Sequence, residues 1–152
     1  MADDQIQEST ARALKLWVVL SRAHAAVEAH ARSDMARHGL SGAEFGALEA
    51  LYHKGPMLLG EVKQKILVSS GGITYVIDRL AEKGLVERRA CPGDRRASFA
   101  ALTPAGEALM ERIFPEHAGR LEQVLSTLTA EEQETAIALL RTLGRGAAER
   151  EV

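Results

Sequence analysis

The sequence predicts a mainly α-helical α+β fold in which a β-hairpin follows a pair of short helices. The first supporting observation is an apolar stripe at helical spacing over Ile73–Leu80, whose other positions are small or polar. The second is an alternating stretch at 85–90 with a partner stretch at 98–102, separated by proline and glycine. The third is helical periodicity over long segments on both sides of this centre.

Length and composition indicate a single domain, 1–152, with an aliphatic core. Of the 152 residues, 46% are apolar and 4% are aromatic. No apolar run approaches the ~18 residues that span a membrane, and the first residues do not resemble a secretory signal. A single cysteine forms no internal disulfide, so we expect a cytoplasmic protein without membrane association.

The flanking segments, 5–38 and 103–149, predict long helices. The first contains no proline and has an apolar face wider than a surface helix requires. Thr103, followed by proline, begins one helix of the second segment, and Thr129 with Glu132 forms a capping box at the start of the last. These apolar faces exceed what the small centre can cover, so we predict that they pack between two copies of the chain.

A second helix follows the first and extends to about His53. Ser41 with Glu44 matches a capping box, and Leu40 with Phe45 matches the accompanying hydrophobic staple. The apolar positions of this helix face inward, which places it in the core of the central part.

The central helix has marked ends. Ser69 or Ser70 can accept a hydrogen bond from the free N–H groups of its first turn. Gly84 favours the left-handed conformation that ends a helix, and the leucine at Leu85 predicts a Schellman cap. A short helix at 60–67 precedes it after a brief turn, so the two form a helix-turn-helix.

The outer face of the central helix is slim and polar toward its N-terminus. Two adjacent glycines at its start weaken the helix but let its backbone approach another molecule closely. Such an end fits the major groove of DNA. We therefore predict that the DNA-binding residues of this segment are Ser69, Ser70, Gly71, Gly72, Thr74, Tyr75 and Arg79.

The hairpin that follows carries two adjacent arginines near its tip. Proline and glycine form its turn within a loop predicted over 91–96. An arginine here, Arg95 or Arg96, can enter a narrow minor groove, where the negative potential is strongest. We expect Asp94 to stabilise this wing by pairing with Arg96 or Arg88, because phosphate repels a carboxylate.

Charge is distributed unevenly along the chain. The whole chain has a net charge of −2, whereas segment 60–100 holds eight basic and five acidic residues and is therefore +3. A phosphate backbone responds to local charge within a Debye length of ~10 Å. On charge alone, an ordinary solvated surface explains this segment as well as a nucleic-acid surface does.

The motif IDRLAEKGLVERR, followed by GDRR and LTPAG, lies in a block from Leu59 to Gly106 that resembles the MarR family of bacterial transcription regulators. The flanking helices also match this family in order and length. The resemblance implies a winged helix-turn-helix DNA-binding part at 41–102, joined to a dimerisation part made by the N- and C-terminal helices. The sequence departs from the family at Gly71 and Gly72, where many members carry larger polar residues.

The resemblance also implies a function. We expect a sequence-specific transcriptional repressor that binds a palindromic site on double-stranded DNA as a homodimer, with Arg95 at the minor groove. Family members often bind a small aromatic or phenolic acid between their two parts. Trp17, His24 and His30 are the candidate ligand-binding residues, because indole stacks on aromatic rings and protonated imidazole pairs with carboxylate. Packing of the tryptophan and ordinary solvated histidines are the alternatives.

Three further alternatives remain open at the level of sequence. Cys91 lies among arginines whose positive charge favours a reactive thiolate, so the chain could sense oxidants through it. The helices could instead bind a protein partner, making the chain an adaptor without specific DNA binding. No catalytic motif and no Cys/His cluster suited to a metal occurs, so we expect no enzyme activity, no metal and no cofactor.

Overall fold

The computed structural model of the chain describes residues 2–66 and 72–150. It confirms the predicted mainly helical α+β architecture, in which long helices enclose a small antiparallel sheet. The elements, in chain order, are α1 (Ala2–Arg37), α2 (Gly42–Lys54), β1 (Met57–Leu58), α3 (Leu59–Lys65), α4 (Ile73–Glu82), β2 (Val86–Cys91), β3 (Asp94–Leu102), α5 (Pro104–Leu125) and α6 (Ala130–Ala148).

The sheet has the strand order β1-β3-β2, and both pairings are antiparallel. The hairpin turn is shorter than the predicted loop, because Cys91 already pairs with Asp94 and only Pro92 and Gly93 connect the strands. Gly93 has a φ of 88°, a left-handed conformation that favours glycine. β3 therefore begins at Asp94 rather than at Ser98, which corrects the sequence-based boundary.

The core lies where α2, α4 and α5 meet the sheet. Its fully buried side chains come from every one of these helices and from α3, and the aliphatic character predicted from composition is evident in them. The largest apolar members are Phe45, Leu48, Val62, Ile77, Leu80, Met110 and Ile113. Burial of this kind contributes roughly 1.5–3 kcal/mol per large apolar side chain, so this junction holds the central elements together.

The C-terminal end of α4 forms the predicted Schellman cap. The Gly84 N–H donates to the carbonyl of Ala81 at 2.9 Å, and the Leu85 N–H donates to the carbonyl of Leu80 at 3.0 Å. Gly84 has a φ of 72°, as this motif requires.

The N-terminal end of α4 differs from the prediction. The helix begins at Ile73, and its N-cap is Gly72 with a φ of 82° and no side-chain hydrogen bond. Capping by Ser69 or Ser70 is therefore wrong, because those serines precede the cap, and Gly72 precedes the first turn instead of lying within it. A glycine suits this cap, since few other residues adopt a positive φ.

Three other predicted caps have mixed outcomes. Thr103 caps α5 through the Gly106 N–H at 3.1 Å, and the reciprocal capping box of Thr129 and Glu132 opens α6, both as predicted. The Ser41 hydroxyl accepts from the Glu44 N–H at 3.1 Å, but the carboxylate of Glu44 bonds to Lys83 and not to the start of α2. The second half of that capping box is therefore wrong.

The start of α5 packs closely against the end of α4. The Thr103 hydroxyl donates to the carbonyl of Gly84 at 2.6 Å, and the Thr103 N–H donates to the carbonyl of Leu85 at 3.1 Å. Gly106 allows this approach, because a Cβ there would lie 2.1 Å from the carbonyl oxygen of Leu85. This backbone contact holds Leu85, which precedes the hairpin, against Thr103 and Gly106, which follow it.

A Gly106→Ala substitution should therefore destabilise the protein by about 1–3 kcal/mol, because a backbone contact has to open. Thermal unfolding at fixed protein concentration measures the change. Gly119→Ala is the matched control in the same helix, where nothing lies within 4 Å of the added methyl group, and it should stabilise by up to about 1 kcal/mol. Equal melting temperatures for the two variants would contradict the close contact.

Candidate nucleic-acid interface

Helix α4 divides cleanly into a buried face and a polar face. Val76, Ile77 and Leu80 are at most 3% exposed and pack in the core. Thr74, Tyr75, Asp78 and Arg79 are exposed on the other side, and Tyr75 is 66% exposed. Tyr75 is a large side chain that the single chain does not bury. This outer face is therefore available for a second molecule.

Three of the predicted contact residues lie exposed on α4. Tyr75 and Arg79 are one helical turn apart on one face, and Thr74 precedes Tyr75 on the first turn. Arg79 also lies 3.4 Å from the carboxylate of Glu82. Gly72 lies at the N-cap, whereas the predicted residues Ser69, Ser70 and Gly71 lie outside the described residues.

An ion pair joins α4 to the hairpin. The Arg88 Nη2 atom lies 2.6 Å from the Asp78 Oδ1 atom and 3.5 Å from the carbonyl oxygen of Thr74. The sequence analysis did not identify this pair, since it matched Arg88 with Asp94. The pair sets the orientation of the strand that carries Arg88 against the outer face of α4.

Asp94 forms a hydrogen bond with the backbone of the wing, and its stabilising role stays a prediction. Its Oδ1 atom accepts a hydrogen bond from the Arg96 N–H at 2.9 Å, which is an Asx-turn geometry. The expected pairing with the Arg88 side chain is wrong, because Asp78 holds that guanidinium. Arg95 and Arg96 lie on β3 directly after the turn, not in the loop, and Arg96 is exposed. The side chain of Arg95 lies outside the described part.

A cleft of about 640 Å³ separates the helix-turn-helix from the wing. Its walls come from the start of α3, from the first turn of α4 and from β3. Among its lining residues are Leu59, Gln64, Thr74, Arg88 and Arg96. Thr74 on α4, Arg88 on β2 and Arg96 on β3 therefore border the same cleft.

The candidate ligand residues on α1 do not form one site in the chain by itself. Trp17 is 67% exposed, and His24 and His30 are exposed as well. Trp17 and His24 are seven residues apart, which places them on the same side of a helix, whereas His30 lies on a different side. Ligand binding by Trp17, His24 and His30 stays a prediction.

Cys91 lies half-buried at the end of β2. The two arginines that precede it in sequence are both engaged, Arg88 with Asp78 and Arg89 with Glu87 at 2.7 Å. Their positive charge is therefore partly compensated by carboxylates. Oxidant sensing through this thiol stays a prediction.

A buried polar cluster at the junction of α1, α2 and α5 has no counterpart in the sequence analysis. The Asp34 carboxylate is 2% exposed and lies 3.1 Å from the His117 Nδ1 atom and 3.4 Å from Arg120 Nε. The His117 ring packs on Phe45 with 4.4 Å between centroids. No local pattern marks it, because Asp34 and His117 are 83 residues apart and meet only in the folded chain.

Within the described ranges, no group of three or more histidine, cysteine or acidic side chains is arranged to hold a metal ion. Over the same residues, no helix has both the length and the apolar character needed to cross a membrane.

Comparison with known proteins decides the family. Residues 38–97 match the model of the MarR family. The chain is 44% identical over 138 residues to the HTH-type transcriptional regulator MhqR of Bacillus subtilis strain 168, which covers 91% of this chain and 95% of that protein. The chain belongs to the MarR family. Members of this family are DNA-binding transcriptional regulators and not enzymes, and this protein is accordingly a DNA-binding regulator.

Solved structures of this MarR-family protein's relatives support the winged-helix fold. Sco3205 of Streptomyces coelicolor, a MarR family regulator solved in complex with DNA, superimposes with a TM-score of 0.79 at 26% identity, covering 87% of this chain and 88% of that one. BpsR of Bordetella bronchiseptica, whose DNA binding is regulated by 6-hydroxynicotinic acid, gives 0.76 at 28% identity, covering 86% and 98%.

The pair of Asp78 and Arg88 leads to a prediction about DNA affinity. The direction of the change distinguishes the loss of a negative charge from the loss of hairpin orientation. Asp78→Asn removes a negative charge from the exposed face of α4, which by charge alone should strengthen DNA binding. If the pair orients the hairpin, the substitution should weaken binding by roughly 1 kcal/mol, while stability changes little because the pair is exposed.

Fluorescence anisotropy with labelled DNA and a thermal melt measure the two quantities. Glu61→Gln is the matched control, because it removes one exposed carboxylate from the neighbouring helix α3 without touching the pair of Asp78 and Arg88. Tighter binding by both variants would contradict an orienting role for Asp78.

Proposed function

We propose that this protein is a homodimeric repressor that reads a palindromic operator with α4 and contacts the flanking minor groove with its wing. The observation that carries the proposal is the division of α4, whose buried face fixes it in the core while Thr74, Tyr75 and Arg79 remain exposed. In winged helices this face enters the major groove. A repressor of this kind acts in the cytoplasm of a bacterial cell.

The proposed roles follow from side-chain chemistry. Thr74 is a short donor that suits a phosphate or a base edge, and Tyr75 can contact a phosphate or pack on a thymine methyl group. Arg79 is long enough to contact phosphate or guanine. Gly72 at the cap lets the backbone come close to the DNA, and Arg95 with Arg96 supplies positive charge at the wing. Ser69, Ser70 and Gly71 stay proposed contacts from the sequence.

The dimer is inferred from apolar surface that the single chain leaves uncovered. Helix α6 has no buried side chain, and Leu139 on it is 66% exposed. On α1, Leu14 and Trp17 are 61% and 67% exposed. Monomeric soluble proteins rarely expose contiguous apolar patches of this kind, so we assign α1, α5 and α6 to a dimer interface between the segments 5–38 and 103–149 of two chains.

The effector is proposed to be a small aromatic acid or phenol. The support comes from BpsR, a relative of 28% identity whose DNA binding is regulated by 6-hydroxynicotinic acid, an aromatic hydroxy acid. Trp17 and His24 share one side of α1 and could contact a ring and a carboxylate once a second chain covers them. His30 would act from a different side of the helix or from the partner chain.

Substitutions on α4 should separate base reading from phosphate contact. Tyr75→Ala should reduce the discrimination between operator and scrambled DNA by about 1–3 kcal/mol with little change in salt dependence. Arg79→Ala should weaken binding to both DNAs and lower the slope of log K against log salt by about 1 per phosphate contact. The operator is first obtained by selection from random DNA with the wild-type protein.

The selected site should contain two inverted half-sites with major-groove centres about one helical turn, ~34 Å, apart, because a two-fold dimer presents α4 twice. Wild-type protein that binds selected and scrambled DNA equally would remove the proposal and favour a helical adaptor. If the wild-type protein binds both DNAs equally and light scattering also gives the mass of a 16.4 kDa monomer, the proposed dimer is contradicted as well.

An aromatic hydroxy acid such as 4-hydroxybenzoate should lower the affinity for the selected operator and change the fluorescence of Trp17, the only tryptophan in the chain. Hexanoate, an aliphatic carboxylate of equal charge, is the matched control and should change neither. Equal effects of both acids on operator binding would indicate a salt effect in place of a specific effector site.

A further inference from the structure

The ends of two helices, α1 and α4, are built in the same way. At the end of α1, the Leu40 N–H donates to the carbonyl of Met35 at 3.2 Å, and the Gly39 N–H donates to Ala36 at 3.0 Å. Gly39 has a φ of 71°, so α1 ends in a Schellman cap like that of α4. A backbone carbonyl at such an end carries partial negative charge, which suits a cation.

Lys83, the C-cap residue of α4, joins these two ends. Its Nζ atom donates to the carbonyl oxygen of Gly39 at 2.8 Å and also bonds to the carboxylate of Glu44. Glu44 is 8% exposed on the first turn of α2, where a helix start favours negative charge. One ammonium group thereby ties the end of α4 to the end of α1 and the start of α2.

The bonds of Lys83 add a directional constraint to the core packing of α4. Apolar burial of Val76, Ile77 and Leu80 holds the helix in the core, and the hydrogen bonds of Lys83 fix the position of its end, because hydrogen-bond geometry is narrow. Among the described residues, no side chain caps the N-terminal end of α4. With ten residues α4 is roughly 15 Å long, so a tilt of about 10° at Lys83 moves its first turn by about 2.5 Å.

We propose that Lys83 is a positioning residue for operator recognition, which sets the angle of α4 through Gly39 and Glu44 without contacting DNA itself. The inference rests on the sequence-specific DNA reading proposed above. A displacement of 2–3 Å, roughly the length of one hydrogen bond, separates a base contact from none. Reading of bases should therefore depend on Lys83, while contact with the DNA backbone should not.

Lys83→Met and Glu44→Gln test the proposal, because the first removes the donors and keeps the aliphatic chain, and the second keeps the shape of the side chain. Each variant is compared with wild type on selected operator and on scrambled DNA over a salt series. We expect Lys83→Met to lose about tenfold in discrimination, the effect of one lost base contact, with an unchanged salt slope. Glu44→Gln should change discrimination in the same direction.

Two further variants complete the set. The double variant should be no worse than Lys83→Met, because both substitutions break one unit. Lys83→Arg should restore most of the discrimination, since a guanidinium can also donate to a carbonyl and a carboxylate. Lys54→Met, which removes an exposed lysine from the last turn of α2, is the matched control for loss of charge and should keep wild-type discrimination.

Two results would overturn the proposal and leave the proposed function intact. Equal loss of affinity for both DNAs with a smaller salt slope would make Lys83 a phosphate contact. A lower melting temperature with unchanged discrimination by the folded protein would make the group purely stabilising. Wild-type protein without discrimination would remove the function and this inference together. If Lys83→Met does not fold, Glu44→Gln alone decides between these outcomes.

Discussion

The burial of one face of α4 is the constraint on which the rest of the structure depends. A helix of ten residues is not stable by itself in water, so it persists because Val76, Ile77 and Leu80 are packed in the core. The same burial leaves the opposite face polar and exposed. The supporting elements meet at its end, where the Gly84 cap, the start of α5 and Lys83 all converge.

Electrostatics in this protein act locally, although the whole chain is slightly acidic. Several basic residues of the central segment are held by carboxylates, including Arg88 by Asp78 and Arg89 by Glu87. Lys63, Lys65 and Arg96 are exposed basic groups on the helix-turn-helix and the wing, and their charge would attract a phosphate backbone.

The long helices leave apolar side chains of the single chain uncovered. Helix α1 has 36 residues and is therefore about 54 Å long, whereas α5, on which it packs, has 22 residues and is about 33 Å long. The first half of α1 consequently extends past α5, and Leu14 and Trp17 on it are exposed. Near the other end, Asp34 is buried against His117, which holds α1 against α5.

The sequence by itself determined the features that local chemistry controls. Four such features are the stripe of α4, its Schellman cap, the capping box of Thr129 and Glu132, and the existence of the hairpin. Each depends on residues that lie close together in the chain. The resemblance of the central motif identified the family. Boundaries were less accurate, because the sequence does not show that Gly72 caps α4 or that β3 reaches Asp94.

Only the tertiary structure decided which charged groups meet. Arg88 pairs with Asp78 ten residues away, Lys83 with Glu44 across 39 residues, and His117 with Asp34 across 83. Glu44 had a predicted role in the cap of α2, and in the folded chain its carboxylate bonds to Lys83 instead. The physical reason is that burial of the apolar faces sets the distances between helices first, and an ion pair forms where those distances bring opposite charges within reach.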